Sequence, residues 1–343
     1  MSQVSLVLDV LVVILASGAI WIGSSWLEGA SERLSAYYGL PQVVQGSVVA
    51  AVGSSFPELA TVVVAGVVTG SLSIGVGAIV GSAIFNVLVI PALAGVSTDE
   101  QIEANRTLVY KEAQFYMLAV SVLVITFAMA VIYYPTGGTT LAGTITRPLA
   151  MIPLGLYGLY LFIQAQDTAD HVADPAVGRD VDARRQWALL VAGLVVILLA
   201  VHQLVEAVEA LGAAAGVDEF LMGVTVLAAA TSMPDALVSV RAARNERSVA
   251  AIANVLGSNT FDLLVAIPVG VMLVGAWAVD FAMAVPLFAV LTLATILLFA
   301  ALRTDLILTD RESIALLVAY VVFLVWIALE SLTSLLGYLP AGG

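Results

Sequence analysis

The chain has 343 residues, of which 61% are hydrophobic, and its mean hydropathy is +1.07. Ordinary globular domains are about 45–50% apolar, so this composition excludes a water-soluble globular protein and predicts one that spans a membrane. Cysteine is absent, which excludes disulfides, Cys-ligated metals and thiol nucleophiles. The two histidines, His171 and His202, are too few and too far apart for a zinc site. The net charge of −13 lies mostly in loops, which suits a chain bathed in high salt.

Apolar runs punctuated by glycine, proline and charged residues predict ten membrane-spanning helices. They lie near residues 4–24, 41–69, 72–96, 112–134, 147–166, 186–210, 218–242, 248–273, 280–302 and 312–336. If the N-terminus is outside, eleven of the 12 Lys and Arg residues fall in inner loops, and only Arg147 falls outside. This positive-inside bias predicts a multi-pass protein of the cell membrane with both termini outside.

The two halves of the sequence resemble each other at a nearly fixed offset of 177 or 176 residues. The matched pairs are Glu32 with Glu209, Gly39 with Gly216, Gly46 with Gly223, Ser55 with Ser232, Pro57 with Pro234, Glu58 with Asp235, Ser82 with Ser258, Phe85 with Phe261 and Asn86 with Asp262. Each half contains five predicted spans, an odd number, so the second half enters the membrane upside down. We therefore predict an all-α integral membrane fold of two inverted five-helix repeats, residues 1–167 and 186–343, joined by an acidic cytoplasmic linker at 168–185. Inverted repeats are typical of secondary transporters.

Four polar side chains stand inside the predicted spans: Glu58 and Asn86 in the first half, Asp235 and Asp262 in the second. A carboxylate at the bilayer centre costs about 2.5–3.5 kcal/mol, and no Lys or Arg lies in the interior of a predicted span as a partner. Such a cluster therefore needs bound cations or protons.

The neighbours of these side chains are suited to a cation site. Ser55 and Glu58, like Ser82 and Asn86, are three or four residues apart and share a helix face; Ser258 and Asp262 repeat the pattern. Pro57 and Pro234 are expected to interrupt their helices and to free backbone carbonyls near 53–54 and 230–231. Carbonyls, hydroxyls and carboxylates form an all-oxygen shell that suits Ca²⁺ and Na⁺ better than a transition metal.

Each of these features also has an ordinary structural explanation. A membrane serine usually bonds a carbonyl of its own helix, a proline kinks a helix, and Asn86 alone could tether two helices. A lone glutamate could be a protonated packing residue. Their joint occurrence, twice and at matched depth, favours the cation site.

The segments 53–58 with 77–86, and 230–235 with 257–262, resemble the two alpha-repeats of the calcium/cation antiporter superfamily, and most closely its sodium/calcium exchangers, including the potassium-dependent branch. The resemblance implies one Ca²⁺ between Glu58 and Asp235, with carbonyls from Ser54 and Thr231. It implies flanking Na⁺ sites and a central position formed by Ser55, Ser82, Ser232 and Ser258, the carbonyls of Ala51 and Ala228, and the side chains of Asn86 and Asp262. Two residues depart from the family pattern: Asp235 stands where many prokaryotic members have Glu, and Ser54 where Thr is common.

Other conspicuous residues have simpler interpretations. Glu32, Glu209, Glu206 and Glu330 lie near helix ends, where an interfacial or packing role is expected. The spacings Gly66-x-x-x-Gly70 and Gly77-x-x-x-Gly81 predict close helix packing. The acidic stretch 167–182 lacks the spacing of an EF-hand and is interpreted as a solvated linker.

These observations predict an antiporter that exchanges Ca²⁺ against Na⁺ by alternating access, in which the spans near 4–24 and 186–210 slide against the other eight. A H⁺/Ca²⁺ antiporter and a K⁺-dependent exchanger of the same fold remain alternatives, and a passive cation channel is a rival from another class. No enzyme motif, cofactor motif, nucleic-acid-binding feature or protein-partner signal is found in the sequence. The expected partners are the lipid bilayer and the transported ions Ca²⁺ and Na⁺, with H⁺ or K⁺ as further candidates.

Overall fold

A computed structural model of the protein describes residues 3–39, 49, 51–98, 102–104, 108–136, 141–167, 181–244 and 248–336. Most of the predicted acidic linker, and the first part of the span predicted at 41–69, lie outside the described residues.

The described residues are mostly helical. The first half contains α1 (Gln3–Tyr37), α2 (Ala51–Ser54), α3 (Phe56–Val63), α4 (Leu72–Leu88), α5 (Ile90–Val96), α6 (Gln114–Tyr133) and α7 (Arg147–Asp167). The second half contains α8 (Ala183–Ala215), α9 (Glu219–Met222), α10 (Ala228–Thr231), α11 (Met233–Arg244), α12 (Ser248–Phe261), α13 (Ile267–Val274), α14 (Phe281–Arg303) and α15 (Asp310–Leu336). Wider π-helical turns occur at Val64–Thr69, Leu108–Ala113, Gly223–Leu227 and Asp262–Ala266.

Eight helices in the described part are long and apolar enough to cross a membrane, and each overlaps one of the ten predicted spans. The span predicted at 218–242 corresponds to a helix pair, Glu219–Thr231 and Met233–Arg244, that bends by 44°. The span predicted at 41–69 is described from residue 51 onward and includes the shorter apolar helix Phe56–Thr69. The chain is therefore a multi-pass membrane protein.

Two predictions about secondary structure need correction. The first span is predicted to end near residue 24, but the helix continues to Tyr37, because apolar residues of this extension, Leu27, Ala30 and Leu34, are still buried. The fold is also not purely helical. Strand β1 (Ile102–Glu103) pairs antiparallel with β4 (Ile307–Leu308), and β2 (Ala142–Thr146) pairs antiparallel with β3 (Ala276–Asp280). Both sheets join connections from opposite halves of the chain, where the backbone groups that leave a helix find partners.

Burial separates central from peripheral helices. The comparison uses the most apolar stretch of each membrane helix. The buried share of that stretch is 89% in Leu72–Val96 and 83% in Ala251–Val274, against 17% in Ser5–Tyr37 and 22% in Asp310–Glu330. Helix α4 and the α12–α13 pair therefore form the centre of the molecule.

Close glycine contacts allow the central helices to approach each other. A Cβ atom at Gly81 of α4 would overlap the backbone of Val224, and one at Gly77 would overlap the carbonyl of Phe220. The predicted packing role of the Gly77/Gly81 pair is thus confirmed. Gly66 also packs closely, against Leu72. For Gly70 the prediction is wrong, since nothing lies within 4 Å of a Cβ there and the residue ends its helix with φ +78°, which only glycine adopts without strain.

The long helices α1 and α8 pack against each other along the side of this centre. They cross at Gly23 and Gly193, where a Cβ atom on Gly193 would lie 2.7 Å from the Gly23 carbonyl oxygen.

Candidate cation-binding site

Two short breaks interrupt membrane helices at equivalent sequences. The first lies at Ser55, between α2 and α3, where the backbone has φ −86° and ψ 6°. The second lies at Ser232, between α10 and α11, with φ −82° and ψ −4°. Pro57 and Pro234 follow the breaks and lack the N–H that would bond the carbonyl four residues earlier. The predicted interruptions are confirmed, and one carbonyl before each break loses its helical donor.

The four polar side chains predicted for the membrane interior are all buried. The exposed fraction is 1% for Glu58 and Asp235 and 0% for Asn86 and Asp262. Glu58 is repelled electrostatically by Asp262 and by Asp235, and Asp262 is repelled by Asp235. The three carboxylates therefore lie close enough to sense one another's charge in an apolar interior.

Most oxygens of this cluster have no hydrogen-bond donor among the described residues. Both carboxylate oxygens of Glu58 and both of Asp262 lack a partner, as do Oδ1 of Asp235 and Oδ1 of Asn86. The Thr231 hydroxyl lies near Glu58 but donates to carbonyls of its own helix instead. A buried polar group without a partner loses its hydration without compensation, so six oxygens are left for a bound cation or proton.

Serines from the two halves meet beside the carboxylates. Ser54 Oγ and Ser258 Oγ are 2.8 Å apart, and Ser55 Oγ donates to the Ser258 carbonyl at 3.3 Å. Ser82 Oγ and Ser232 Oγ are 2.6 Å apart. The structure thus brings together serines that the sequence places about half a chain apart.

The carbonyls implied as ligands lie in the short helices next to the breaks. Ser54 and Ala51 belong to α2, and Thr231 and Ala228 occupy the equivalent positions in α10. The Ala228 carbonyl accepts from Thr231 Oγ1 at 3.3 Å and from the Ser232 N–H at 3.0 Å. A cation at this carbonyl would therefore compete with protein donors.

A side-chain network that the sequence analysis missed orients Asn86. Its Nδ2 donates to Asp235 Oδ2 at 3.3 Å and to Asn259 Oδ1 at 2.9 Å. Asn259 Nδ2 in turn donates to the Tyr116 hydroxyl at 3.2 Å and to the Ala83 carbonyl at 3.1 Å. The sequence did carry one signal, a second amide directly after Ser258 inside a predicted span. The acceptors Asp235 Oδ2 and Asn259 Oδ1 hold the amide nitrogen of Asn86, and its Oδ1 is left without a partner among the described residues.

A further acidic residue near the site was also missed. Glu28 lies on α1, beyond the predicted end of the first span, and its Oε1 is buried without a partner in the described part of the chain. Among charged side chains, Asp235 repels it most strongly. The extended length of α1 is what places this carboxylate against the site.

The candidate ligand atoms of this site are all oxygens. The described part of the chain contains no group of three or more His, Cys, Asp or Glu side chains arranged around one metal position, so any ion here needs hydroxyl and carbonyl ligands as well as carboxylates. No salt bridge joins a described Lys or Arg to Glu58, Asp235 or Asp262. Hard oxygen ligands of this kind suit Ca²⁺ and Na⁺.

A cavity of about 500 Å³ lies apart from these residues and contains none of the predicted ligands. Its lining includes four carboxylates, those of Glu209, Asp218, Glu219 and Asp280. Glu209 accepts a hydrogen bond from Thr69 Oγ1 at 2.8 Å, which agrees with the packing role expected for it. The acidic lining would favour cations near one end of the molecule.

Polytopic helices around a buried, all-oxygen cluster of carboxylates define the class of membrane cation transporters. The sequence matches the family described as "sodium/calcium exchanger protein" over residues 8–166 and 185–329, most of its length. The chain belongs to this family, and its function is therefore cation-exchange transport across a membrane.

The chain is also similar to individual membrane proteins. The chain is 24% identical to an uncharacterized membrane protein of Methanocaldococcus jannaschii over 251 residues, 73% of this chain and 77% of that one. It is 23% identical to the inner membrane protein YrbG of Escherichia coli over 246 residues, 69% of this chain and 71% of that one. A solved structure of the sodium-calcium exchanger NCX_Mj superposes with a TM-score of 0.64 at 21% identity, covering 93% of this chain and 99% of that chain. At this identity the likeness shows a shared fold.

Proposed function

We propose that this protein exchanges Ca²⁺ against Na⁺ across the cell membrane by alternating access. The observation that carries the proposal is the set of buried carboxylate oxygens on Glu58, Asp235 and Asp262 that have no donor among the described residues. Buried carboxylates of like charge are tolerable only with a compensating cation or proton. Ca²⁺ and Na⁺ compete for the same oxygens, so the binding of one releases the other.

The proposed Ca²⁺ ligands are the carboxylates of Glu58 and Asp235 with the carbonyls of Ser54 and Thr231. Two negative charges balance one divalent ion, and the broken helices supply carbonyl oxygens at matched positions. The proposed Na⁺ ligands are Ser55, Ser82, Ser232, Ser258, the carbonyls of Ala51 and Ala228, and the central pair Asn86 and Asp262. The serine contacts across the two halves support this grouping.

The ten-span architecture with inverted repeats is part of the proposal. Equivalent helix breaks at Ser55 and Ser232 have nearly the same backbone angles. Gly39 and Gly216, which are 177 residues apart, both adopt left-handed conformations with φ 66° and 69°. Such paired local conformations support a repeat, and an odd number of spans in each half requires the second repeat to be inverted.

Alternating access needs an element that moves, and α1 with α8 is the proposed one. These two helices pack mainly on each other and flank the central helices rather than entering them. They cross at paired glycines, Gly23 and Gly193, whose smooth backbone surfaces allow close approach without interlocking side chains. Sliding of this pair would open the cluster to one side and then to the other.

The third carboxylate supports a second candidate. Asp262 has neither oxygen satisfied in the described part of the structure, and two carboxylates already balance Ca²⁺. A proton or K⁺ on Asp262 would make the protein a H⁺- or K⁺-coupled exchanger of the same fold. Sodium/potassium/calcium exchanger 4 of Mus musculus is 41% identical over 64 residues, which cover 10% of that protein, and this likeness gives the K⁺ alternative its support.

Transport measurements test these proposals directly. Purified protein in proteoliposomes is given ⁴⁵Ca²⁺ with imposed Na⁺, K⁺ or H⁺ gradients, one at a time. We expect uptake that saturates and depends on an opposed Na⁺ gradient. Uptake without any counter-ion would indicate a channel, and uptake driven by H⁺ alone would establish the proton-coupled alternative.

Two amide variants connect this flux to the site. Glu58→Gln and Asp235→Asn should each lower Na⁺-dependent Ca²⁺ uptake at least about 30-fold, because removing one charge of a buried charge pair costs about 2–5 kcal/mol. Asp235→Glu keeps the charge and should retain transport. Normal transport by both amide variants would place the Ca²⁺ site elsewhere.

A further inference from the structure

Helix α1 carries a polar stripe in the second half of its length. Ser24, Glu28 and Ser31 are separated by four and three residues and therefore lie on one face. Ser24 is 0% exposed and its Oγ has no hydrogen-bond partner among the described residues. Other serines of the helix, such as Ser17, bond a carbonyl of the preceding turn instead. The two buried atoms of this stripe that lack a partner among the described residues, Ser24 Oγ and Glu28 Oε1, are both oxygens.

The stripe faces the segment that forms the candidate site. A Cβ atom built on Gly53 would lie 3.9 Å from the Cα and Cγ atoms of Glu28 and 3.9 Å from Ser31 Oγ. Gly53 directly precedes Ser54, whose side chain lies near that of Asp235. Glu28 therefore packs beside Gly53, the neighbour of Ser54, whose carbonyl is implied in Ca²⁺ binding.

The electrostatic environment of Glu28 does not satisfy its charge. Asp235 and Glu32 repel it, while Arg241 attracts it more weakly than Asp235 repels it. Arg241 is exposed at the end of α11, and no salt bridge within 4.0 Å joins it to Glu28 in the described part of the protein. A largely buried carboxylate whose strongest charged neighbour is another carboxylate is destabilising unless it takes up a proton or a cation lies between the two.

We propose that Glu28 is a further Ca²⁺ ligand, which holds the ion beside Asp235 on the side of the site that leads to Arg241. Hydroxyl oxygens of Ser24 and Ser31 complete the oxygen lining of this approach. Because Glu28 lies on α1, a helix proposed to move, its distance from Asp235 would change during transport. The ion would therefore be held by Glu28 of the moving helix in addition to Glu58 and Asp235 of the stationary core. This inference rests on the proposed Na⁺/Ca²⁺ exchange.

Glu28→Gln tests the proposal with two measurements on the whole protein. In proteoliposomes the half-saturating Ca²⁺ concentration for Na⁺-dependent uptake should rise about 10- to 100-fold, the loss typical when a carboxylate that supports a metal site is removed. In detergent, the increase in unfolding temperature produced by Ca²⁺ should shrink. The ion-free variant should unfold at the wild-type temperature or above, because an unpartnered interior charge has been removed.

Glu32→Gln is the matched control. It removes the same charge one turn further along α1, from an exposed position, and should change the half-saturating concentration by no more than about twofold, since exposed charges are screened. Glu28→Asp should give an intermediate affinity.

Three outcomes would overturn the inference: wild-type affinity and thermal shift in Glu28→Gln, equal effects of Glu28→Gln and Glu32→Gln, or an ion-free Glu28→Gln protein that fails to fold. The last would show that Glu28 has a structural role. A wild-type protein without Na⁺-dependent Ca²⁺ uptake would instead refute the proposed function, and the Ca²⁺-dependent thermal shift would still report on Glu28.

Discussion

At the scale of single residues, the sequence match between the two halves relates two pairs of side chains that carry different total charges. Asn86 donates to Asp235 at 3.3 Å, and the equivalent pair is Asp262 with Glu58. An amide and a carboxylate satisfy each other, whereas two carboxylates cannot. All four oxygens of the Asp262–Glu58 pair lack a described donor, so the charge imbalance of the cluster is concentrated at that pair.

The excess charge leads to a prediction for Asp262. When Glu58 and Asp235 balance one Ca²⁺, the third carboxylate needs a proton or a monovalent cation, and we expect the proton. Asp262→Asn keeps the shape without the charge, so it should preserve Na⁺/Ca²⁺ exchange and flatten its dependence on pH. In the wild type, raising the pH removes the proton and leaves a negative charge that disturbs the balance. The measurement is ⁴⁵Ca²⁺ uptake across a pH series, without K⁺.

A dependence of Ca²⁺ uptake on K⁺ would contradict the prediction that Asp262 holds a proton. External K⁺ should leave wild-type uptake unchanged. Uptake that requires K⁺ in the wild type, and no longer requires it in Asp262→Asn, would assign the third charge to K⁺ rather than to a proton.

Single site residues could be predicted from the sequence when a matching residue occurred in the other half of the chain. Glu58, Asn86, Asp235 and Asp262 stood out because they recur at matched positions in apolar surroundings. Glu28 has no acidic counterpart at the same offset, where Val205 stands, and it falls beyond the predicted end of its span. The repeat could not reveal it, and only the packing of α1 against Gly53 does.

At the scale of helices and strands, hydropathy predicted the location of the spans better than their ends. Eight described helices overlap eight predictions, because about 30 Å of hydrocarbon demands a long apolar run. The ends of α1 and α8 were missed, since both helices run past the hydrocarbon length and are held by each other. The short strands were missed because two- and five-residue pairings depend on partners at least 130 residues away.

Close packing between α4 and the bent span gives a prediction about stability. Gly81→Ala places a methyl group against the backbone of Val224, which cannot withdraw as a flexible side chain could. We expect a loss of about 1–3 kcal/mol in the free energy of unfolding, measured as a lower unfolding temperature in detergent. Transport should fall as well, because α4 also carries Ser82 and Asn86.

Gly155→Ala in α7 is the control for this change, since a Cβ there meets nothing within 4 Å. It should be neutral or slightly stabilising, because alanine favours the helix by up to about 1 kcal/mol over glycine. Equal destabilisation by both substitutions would mean that the loss at Gly81 does not come from the crossing.

At the scale of the whole molecule, the two sequence halves are intertwined rather than separate bodies. The strand pairs join connections of one half to those of the other, and the serine contacts join them at the centre. Outside this common core, α1 and α8 contact each other more than any other pair of elements. The proposed division into a stationary core and a moving pair would therefore cross the proposed division into repeats, because each repeat would contribute one moving helix.

The orientation of the molecule is the last prediction. Helix α8 has 33 residues, about 50 Å at 1.5 Å per residue, so its two ends must lie on opposite sides of a bilayer about 30 Å thick. Single cysteines at Ser71 and Ala214 should react with an impermeant thiol reagent added outside. Cysteines at Ala173 and Ser248 should react only from the cytoplasm. The native chain has no cysteine, so the background is clean.

The structure places the two outer positions at one end of the molecule. Ser71 hydrogen-bonds Glu219, and Glu219 lines the acidic cavity together with Ala213, the neighbour of Ala214. Ser248 begins the helix that follows Arg244, at the basic end of α11, and Ala173 lies outside the described residues. Reversal at all four positions would invert the orientation and keep the repeat, because the two ends would simply exchange sides. Reversal at two positions would contradict the inverted repeat itself, since one half would then have entered the membrane in the wrong sense.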